Sequence, residues 1–422
     1  MNVSVQYTLN GHDCAIHLER RRVSAFLDGQ VIPIDALPRP RAVVAVTASA
    51  FDKFDLPTPE GLFAKSAQRS ELYRYLGLKD ARGRVSTKAG IFRALESLFE
   101  ATGLDTGRRL RIAHVFDYLG YEPRVEVLYR WTSRGRSFLE AGAGEGSVGY
   151  RRFLESERAV GTRDRPILGD YFFEDPSAID QLGAAADNLQ QSSDGKGTRL
   201  VADFSALRWS EDQRFRQAQQ LSRARLLEME EVSLSRASTG VSVNIEDASS
   251  GELAIATAML GIASSIDDQS LILMDEPEIS LHPEWQADYL TRLAQTFEPF
   301  AECHFVLATH SATLVSGAHP ELSNTLDIEE SQGARKEVSP GKSADEVLVR
   351  TFGVAQDGNL YVRQLLIEAL RLVADRRTTE SRFSEVLEKL QRVDSMLPDS
   401  SPMRQVIADL GRTRFSSDGA RA

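Results

Sequence analysis

The sequence predicts an α/β fold built on a parallel sheet, and three observations carry that prediction. Residues 271–274 (Leu-Ile-Leu-Met) are a short apolar run that ends in two carboxylates and a proline, the pattern of a doubly buried strand that delivers acids at its carboxyl end. Residues 284–297 then read as a helix and His304–Ala308 as the next strand, an order that fits a right-handed βαβ unit. Upstream, residues 41–47 (Arg-Ala-Val-Val-Ala-Val-Thr) form another continuous apolar strand assigned to the same main sheet. Open α/β sheets place ligands outside the carboxyl ends of their strands, so Asp275 and Glu276 are the first candidates for chemistry.

Composition sets the bounds. A chain of 422 residues can bury a large core, and its length suggests two to three domains. Hydrophobic content of 42% and charged content of 26% are those of a soluble globular protein. The net charge of −11 argues against a wholly basic nucleic-acid binder while leaving room for a local basic patch. Cys14 and Cys303, the two cysteines, supply neither a disulfide framework nor a metal quartet. With no apolar run of membrane-spanning length and no signal-peptide pattern at the amino terminus, the expected location is the cytoplasm.

In chain order, Val3, Val5 and Tyr7 alternate with polar residues up to Asn10-Gly11, and Asp28-Gly29 is a second hairpin signal, so the opening reads as an antiparallel meander. The segment 48–54 after the apolar strand over 41–47 holds Ser49 and Asp52. They are candidates to approach a ligand or its metal, with a loop anchored by Phe51 and Phe54 as the alternative. Between residues 61 and 209 an α+β lobe is expected, from a helix with Ile91, Leu95, Leu98 and Phe99 on one face and a strand over 125–131. Residues 141–146 and 184–198 are small and polar and read as mobile loops. Residues 211–230 read as one amphipathic helix, and 232–245 as a hairpin that leads to Ser249. Residues 252–266 form an apolar helix, which puts Ser249, Ser250, Gly251 and Glu252 at a helix N-terminus, either as a phosphate contact or as an ordinary cap. Beyond 341, residues 360–374, 383–393 and 403–410 read as amphipathic helices separated by turn residues.

Chemistry at the end of strand 271–274 needs two different acids. Asp275 suits Mg²⁺, a hard cation that prefers oxygen ligands and keeps several waters. Glu276, pointing elsewhere, suits a base that orients or deprotonates an attacking water.

These residues resemble a known family. Residues 271–276 resemble the Walker B strand and catalytic glutamate of ABC-type ATPases, 249–252 their signature motif, 279–282 their D-loop and His310 their switch histidine. The wording Asp-Glu-Pro-Glu-Ile-Ser-Leu-His, followed by a strand ending Ala-Thr-His-Ser, is similar to the SMC, RecF and OLD branch. It is most similar to the AAA-type ATP-binding proteins of bacterial anti-phage systems, and residues 343–353 resemble their tail. The resemblance implies a P-loop NTPase-like core with an inserted α+β lobe and a C-terminal helical segment. The implied divisions are 1–60, a partial first lobe; 61–210, the insertion; 211–340, the ATPase core; and 341–422, the helical region. It also implies ATP and Mg²⁺ as cofactors, with Asp275 on the metal, Glu276 as base and His310 sensing the γ-phosphate. Ser249, Ser250 and Gly251 would reach the γ-phosphate across a dimer of this chain with itself or a related subunit. The implied partner is a nuclease or other effector, with DNA a further candidate and no membrane.

One expected part is missing from these residues. The pattern G-x-x-x-x-G-K-[ST], which cradles phosphates, fails at both Gly-Lys pairs, because Gln190 and Lys336 stand where the first glycine belongs. The expectations are a start further upstream, a loop supplied by another polypeptide, or lost ATP binding. The rival from another class is a non-catalytic scaffold or sensor of the same shape. A nuclease in its own right ranks below it, for want of an additional acidic cluster suited to two metals.

Overall fold

The computed structural model describes residues 2–9, 11–19, 22–56, 72–79, 85, 87–102, 106–160, 176–191, 193, 197–206, 212–319, 323, 325–327, 336–338 and 343–418. Strands β1 (Asn2–Leu9), β2 (His12–Glu19), β3 (Arg22–Leu27) and β4 (Gln30–Ile32) form the expected antiparallel meander. The β3–β4 turn has φ of 49° at Asp28 and 80° at Gly29, the positive pair a type I′ turn requires. Asn10, in the other turn, lies outside the described residues. Leu9, Cys14, Ala25 and Leu37 give the meander a small core of its own.

Strands β5 (Val43–Thr47) and β6 (Tyr73–Leu76) pair in parallel from Val43–Tyr73 to Val46–Leu76. The main sheet therefore takes a strand from the segment expected to lie wholly in the insertion. Helix α1 (Thr87–Thr102) buries the stripe Ile91, Leu95, Leu98 and Phe99. Helix α2 (Thr106–Leu119) follows, then β7 (Tyr121–Trp131), α3 (Ser133–Glu145), α4 (Ser147–Val160), α5 (Pro176–Gln191), β8 (Thr198–Asp203), α6 (Asp212–Arg223), β9 (Leu227–Arg236) and β10 (Ser242–Asn244). The order β10-β9-β7-β8 makes a second, antiparallel sheet.

Three sequence expectations are corrected in this region. Residues 141–145 are helical, because their small residues allow close approach: a Cβ on Gly142 would sit 2.0 Å from the Tyr150 ring, and one on Gly149 would sit 1.9 Å from the Ala141 carbonyl oxygen. Residues 184–191 are also helical, with Ala185, Ala186 and Leu189 buried. The helix expected over 211–230 stops at Arg223, Arg225 turns left-handed at φ 52°, and residues from Leu227 form β9.

Helix α7 (Ser250–Ser265), strand β11 (Leu271–Asp275), helix α8 (Pro283–Phe297), strand β12 (His304–Ala308) and helix α9 (Ala312–Ser316) complete the main sheet and its cover. The sheet order is β12-β11-β5-β6, parallel throughout. Helices α1 and α2 pack on α7, and Arg108 caps the end of α7 with Nη2 at 2.8 Å from the Ser264 carbonyl oxygen, a favourable place for a cation. One hydrophobic cluster runs from Val44 and Val46 of β5 through α1, β7 and α6 to Ile272, Met274 and Leu293. The region around β7 and the parallel sheet thus share a core.

Strands β13 (Thr325–Asp327) and β14 (Lys336–Val338) pair with each other. Helices α10 (Ala344–Arg350), α11 (Leu360–Ala374), α12 (Ser381–Asp394) and α13 (Pro402–Asp418) follow, with a separate core that includes Val362, Phe383, Val386 and Leu390. Val347 of α10 packs on Ala312 and Val315 of α9, which ties this helical region to the sheet. Among the described residues no helix is long and apolar enough to cross a membrane.

Candidate functional site

The parallel register brings three strand ends level. Asp275 pairs with Thr47 of β5 on one side and Ala308 of β12 on the other. The ladder continues for one bond past the acid, the Glu276 amide donating to the Ala308 carbonyl at 2.9 Å. Pro277 then ends the pairing, having no N–H to give.

The backbone after Asp275 is wound tightly. Glu276 has φ 46° and Ser280 φ 70°, left-handed conformations that cost a non-glycine residue roughly 1–2 kcal/mol each. They persist because neighbours hold them. The Ile279 amide donates to the Glu276 carbonyl at 3.1 Å and the Leu281 amide to the Glu278 carbonyl at 3.0 Å. Glu278 also accepts at Oε1 from the Thr309 hydroxyl at 2.7 Å and the His310 amide at 2.9 Å, stitching this turn to the end of β12.

His310 follows from that stitch. Its Nε2 lies 3.7 Å from Glu276 Oε1, with the imidazole largely exposed and the Glu276 carboxylate half-buried. Ser311 caps α9 through the Leu314 amide at 3.1 Å and donates its hydroxyl to Gln286 at 2.7 Å, which fixes the loop beyond the histidine. Asp275 is half-buried, and its carboxylate takes no hydrogen bond among the described residues. No group of three His, Cys, Asp or Glu suited to a metal occurs among the described residues. One or two carboxylates plus phosphate oxygens and water are nonetheless the usual set for Mg²⁺, so the carboxylate of Asp275 fits that ion in company with a phosphate.

The loop after β5 is more committed to its own structure. Ser49 is buried, its amide donating to Thr47 Oγ1 at 2.9 Å and its hydroxyl accepting from the Phe51 amide at 3.1 Å. The Asp52 carboxylate is fully buried, 3.0 Å from Lys79 Nζ, and it accepts from Tyr75 Oη and the Phe54 amide at 3.1 Å each. Phe51, expected as an anchor, is 87% exposed beside it.

Ser249 is the N-cap of α7. Its hydroxyl accepts from the Glu252 amide at 3.2 Å, and Glu252 Oε2 accepts from the Ser249 amide at 3.2 Å, a reciprocal capping box. Arg236 Nη2 donates to the other Glu252 oxygen at 3.0 Å. Burial alone would raise the Glu252 pKa, but the bonds from Arg236 and Ser249 outweigh it and hold the carboxyl below its ordinary range. Gly251 has a different reason to be there: a Cβ would lie 2.8 Å from the Ser280 carbonyl oxygen. The start of α7 is thus packed on the same wound turn that follows Asp275.

The structure therefore gathers Asp275, Glu276, His310 and the Thr47–Ser49 backbone at one carboxyl edge, with residues 249–252 joined to it through Ser280. It directs the carboxylates of Asp52 and Glu252 to internal partners. Sequence reasoning missed Glu278, Lys79 and Arg236. Only Glu278, two residues from Glu276, carried a signal that could have been followed.

Comparisons with known proteins bear on the fold. No curated protein matches the chain. Among solved structures, the Smc head domain with an extended coiled coil bound to the C-terminal domain of ScpA, from Pyrococcus furiosus, aligns at 14% identity. The alignment covers 80% of this chain and 73% of that one, with a TM-score of 0.23, too low to carry an argument. The family model described as "AAA domain, putative AbiEii toxin, Type IV TA system" matches residues 96–316, a span that contains the end of α1, the capped start of α7, the acidic strand β11 and His310. With more than half its length matched, and with a P-loop NTPase-like α/β fold, the chain belongs to that AAA-domain family.

Proposed function

We propose that this AAA-domain protein is an ABC-type ATPase subunit that binds and hydrolyses Mg-ATP in a site closed between subunits, and that closure regulates a partner effector in DNA-related or anti-phage defence. The observation that carries the proposal is the convergence of Asp275, Glu276 and His310 at the carboxyl edge of one parallel sheet, with the N-terminus of α7 packed on the turn between them. Asp275 holds Mg²⁺, Glu276 accepts the proton of the attacking water, and His310, close to Glu276, senses the γ-phosphate. Mg²⁺ supplies charge neutralisation of the phosphates when bound. Ser249, Ser250 and Gly251 present the N–H groups and dipole of α7 to a γ-phosphate held by the facing subunit. Ser49 and Asp52 act through the loop they shape, Asp52 by anchoring it to Lys79.

The division into 1–60, 61–210, 211–340 and 341–422 is proposed as one of roles along the chain, except that β6 of the second segment serves the main sheet. The expected partners are a second subunit of this type and a nuclease or other effector, with DNA as a further ligand and the cytoplasm as the place of action. A non-catalytic scaffold is the second reading. It is favoured by the capping box that engages Ser249 and Glu252.

The test is phosphate release from Mg-ATP by the assembly purified through a tag on this chain. Glu276→Gln keeps size and hydrogen bonding but cannot take a proton, so turnover should fall by about 10² or more while nucleotide still binds. Asp275→Asn should instead weaken Mg²⁺-dependent binding. Equal turnover in the wild type and Glu276→Gln would remove Glu276 from the mechanism, and no turnover in any form would favour the scaffold.

A further inference from the structure

We propose that Arg236 is a positioning residue for nucleotide that acts through Glu252: while Glu252 caps α7 it keeps phosphate off Ser249, and Arg236 takes the carboxylate when phosphate arrives. The proposal rests on the reading of Ser249, Ser250 and Gly251 as a phosphate contact, and adds a contact of the chain with itself that regulates it.

The start of α7 is occupied by one of its own side chains. Glu252 Oε2 accepts from the Ser249 amide at 3.2 Å and from the Ser249 hydroxyl at 3.0 Å. The N-terminus of a helix favours an anion, and the Glu252 carboxylate is already that anion. A phosphate oxygen seeking the Ser249 donors therefore meets a competitor for them and a like charge beside them. Both have to be removed before phosphate binds there.

The receiver stands on another element. Arg236, the last residue of β9, donates from Nη2 to the opposite oxygen, Glu252 Oε1, at 3.0 Å. Its guanidinium lies over the ring of buried Tyr121, 5.7 Å from the centroid, a cation–π distance. The backbone is fixed as well: the Arg236 amide donates to the Val241 carbonyl at 2.9 Å, and the Arg236 carbonyl accepts from the Gly240 amide at 2.8 Å. Arg236 thus stays where the antiparallel sheet puts it, and the carboxylate is the part that moves.

A guanidinium carries its N–H donors in a planar fork that can bind both oxygens of one carboxylate. One Glu252 oxygen is on that fork already, and only Oε2 is engaged by Ser249. Transfer of Oε2 to the guanidinium frees the hydroxyl and amide of Ser249 and neutralises the charge next to the phosphate. A lysine at this place would neutralise the charge but offer no fork. The packing of Gly251 on the Ser280 carbonyl oxygen holds the helix start still during the exchange. A capping box by itself needs only its serine and its glutamate, so the third partner, Arg236, is what points to a second position for the carboxylate.

The test is sedimentation of the tagged assembly carrying Glu276→Gln to block turnover, read as the Mg-ATP concentration at half-maximal association. Arg236→Ala should raise that concentration about tenfold or more when Glu252 is present, and less than about twofold when Glu252→Gln is added, since a neutral amide neither repels phosphate nor needs the receiver. Arg236→Lys should fall between. A residue that only packs on Tyr121 would cost the same with either side chain at position 252. Equal effects of Arg236→Ala in the two backgrounds, or none in either, therefore overturn the proposal while ATP-dependent association upholds the phosphate reading. Association that ignores ATP in every variant refutes that reading and the proposal together. A second readout needs no nucleotide: carbon-13 titration of the Glu252 carboxyl, whose pKa Arg236→Ala should raise, an unchanged value overturning the proposal. Thermal melting identifies a variant that fails to fold, and Arg236→Lys then carries both comparisons.

Discussion

At the scale of single residues, the candidate site is held by carboxylates with unequal duties. Glu278 accepts two hydrogen bonds at Oε1 while Oε2 is buried without a hydrogen bond, so it is committed to holding the Thr309–His310 backbone. Glu278→Ala should cost about 1 kcal/mol in urea unfolding, the net worth of a typical intramolecular hydrogen bond, since its donors Thr309 and His310 can turn to water. Ser249→Ala, which removes the N-cap, should cost about 1 kcal/mol. The Glu252 pKa lies below the ordinary 4.5 in the folded state, so the folded protein binds that proton less tightly than the unfolded chain. Its contribution is full above about pH 4.5 and is lost as pH falls through the folded value. Glu252→Gln should therefore flatten the acid limb of the stability curve, seen as urea midpoints that fall less steeply with acidification. The acid pair was legible because Asp-Glu-Pro after an apolar run has a chemical meaning by itself. The partners of Asp52 and Glu252 were not, because Lys79 and Arg236 are 27 and 16 residues away and only the fold brings them close.

At the scale of elements, apolar periodicity made β5, α1, α7, β11, α8 and α11 readable, since each buries much of the stripe or run its sequence displays. The last residues of α3 and the second half of α5 read as loops in the sequence for a physical reason. Their glycines and alanines look like turn material, but Gly142 and Gly149 are small because α3 and α4 touch there. The sheet membership of β6 was hidden likewise, since nothing local tells a four-residue strand which sheet it joins. Leu95 is fully buried on α1 against the helix that begins at the capped serine, so Leu95→Ala should cost about 2–5 kcal/mol. Gly251→Ala would drive a Cβ to 2.8 Å from the Ser280 carbonyl oxygen. It should destabilise by about 1–3 kcal/mol and loosen the turn after Asp275, seen as faster amide exchange at Ile279 and Leu281.

At the scale of the whole molecule, one hydrophobic cluster joins the parallel sheet to the region around β7, while the meander and the last helices have their own cores. A shared core lets a change at β11 reach α7 through packed side chains. The central claim is that the acidic edge and the start of α7 are two halves of one ATP site, completed between subunits. The direct measurement is sedimentation of the tagged assembly carrying Glu276→Gln, in Mg-ATP and without it, with and without Ser250→Arg. Ser250→Arg puts a bulky cation at the helix start, where backbone must approach phosphate, and leaves the core untouched. Association should rise with ATP in Glu276→Gln alone and be absent when Ser250→Arg is added. Equal ATP-dependent association in both would mean that residues 249–252 are a helix cap and nothing more, and would contradict the composite site.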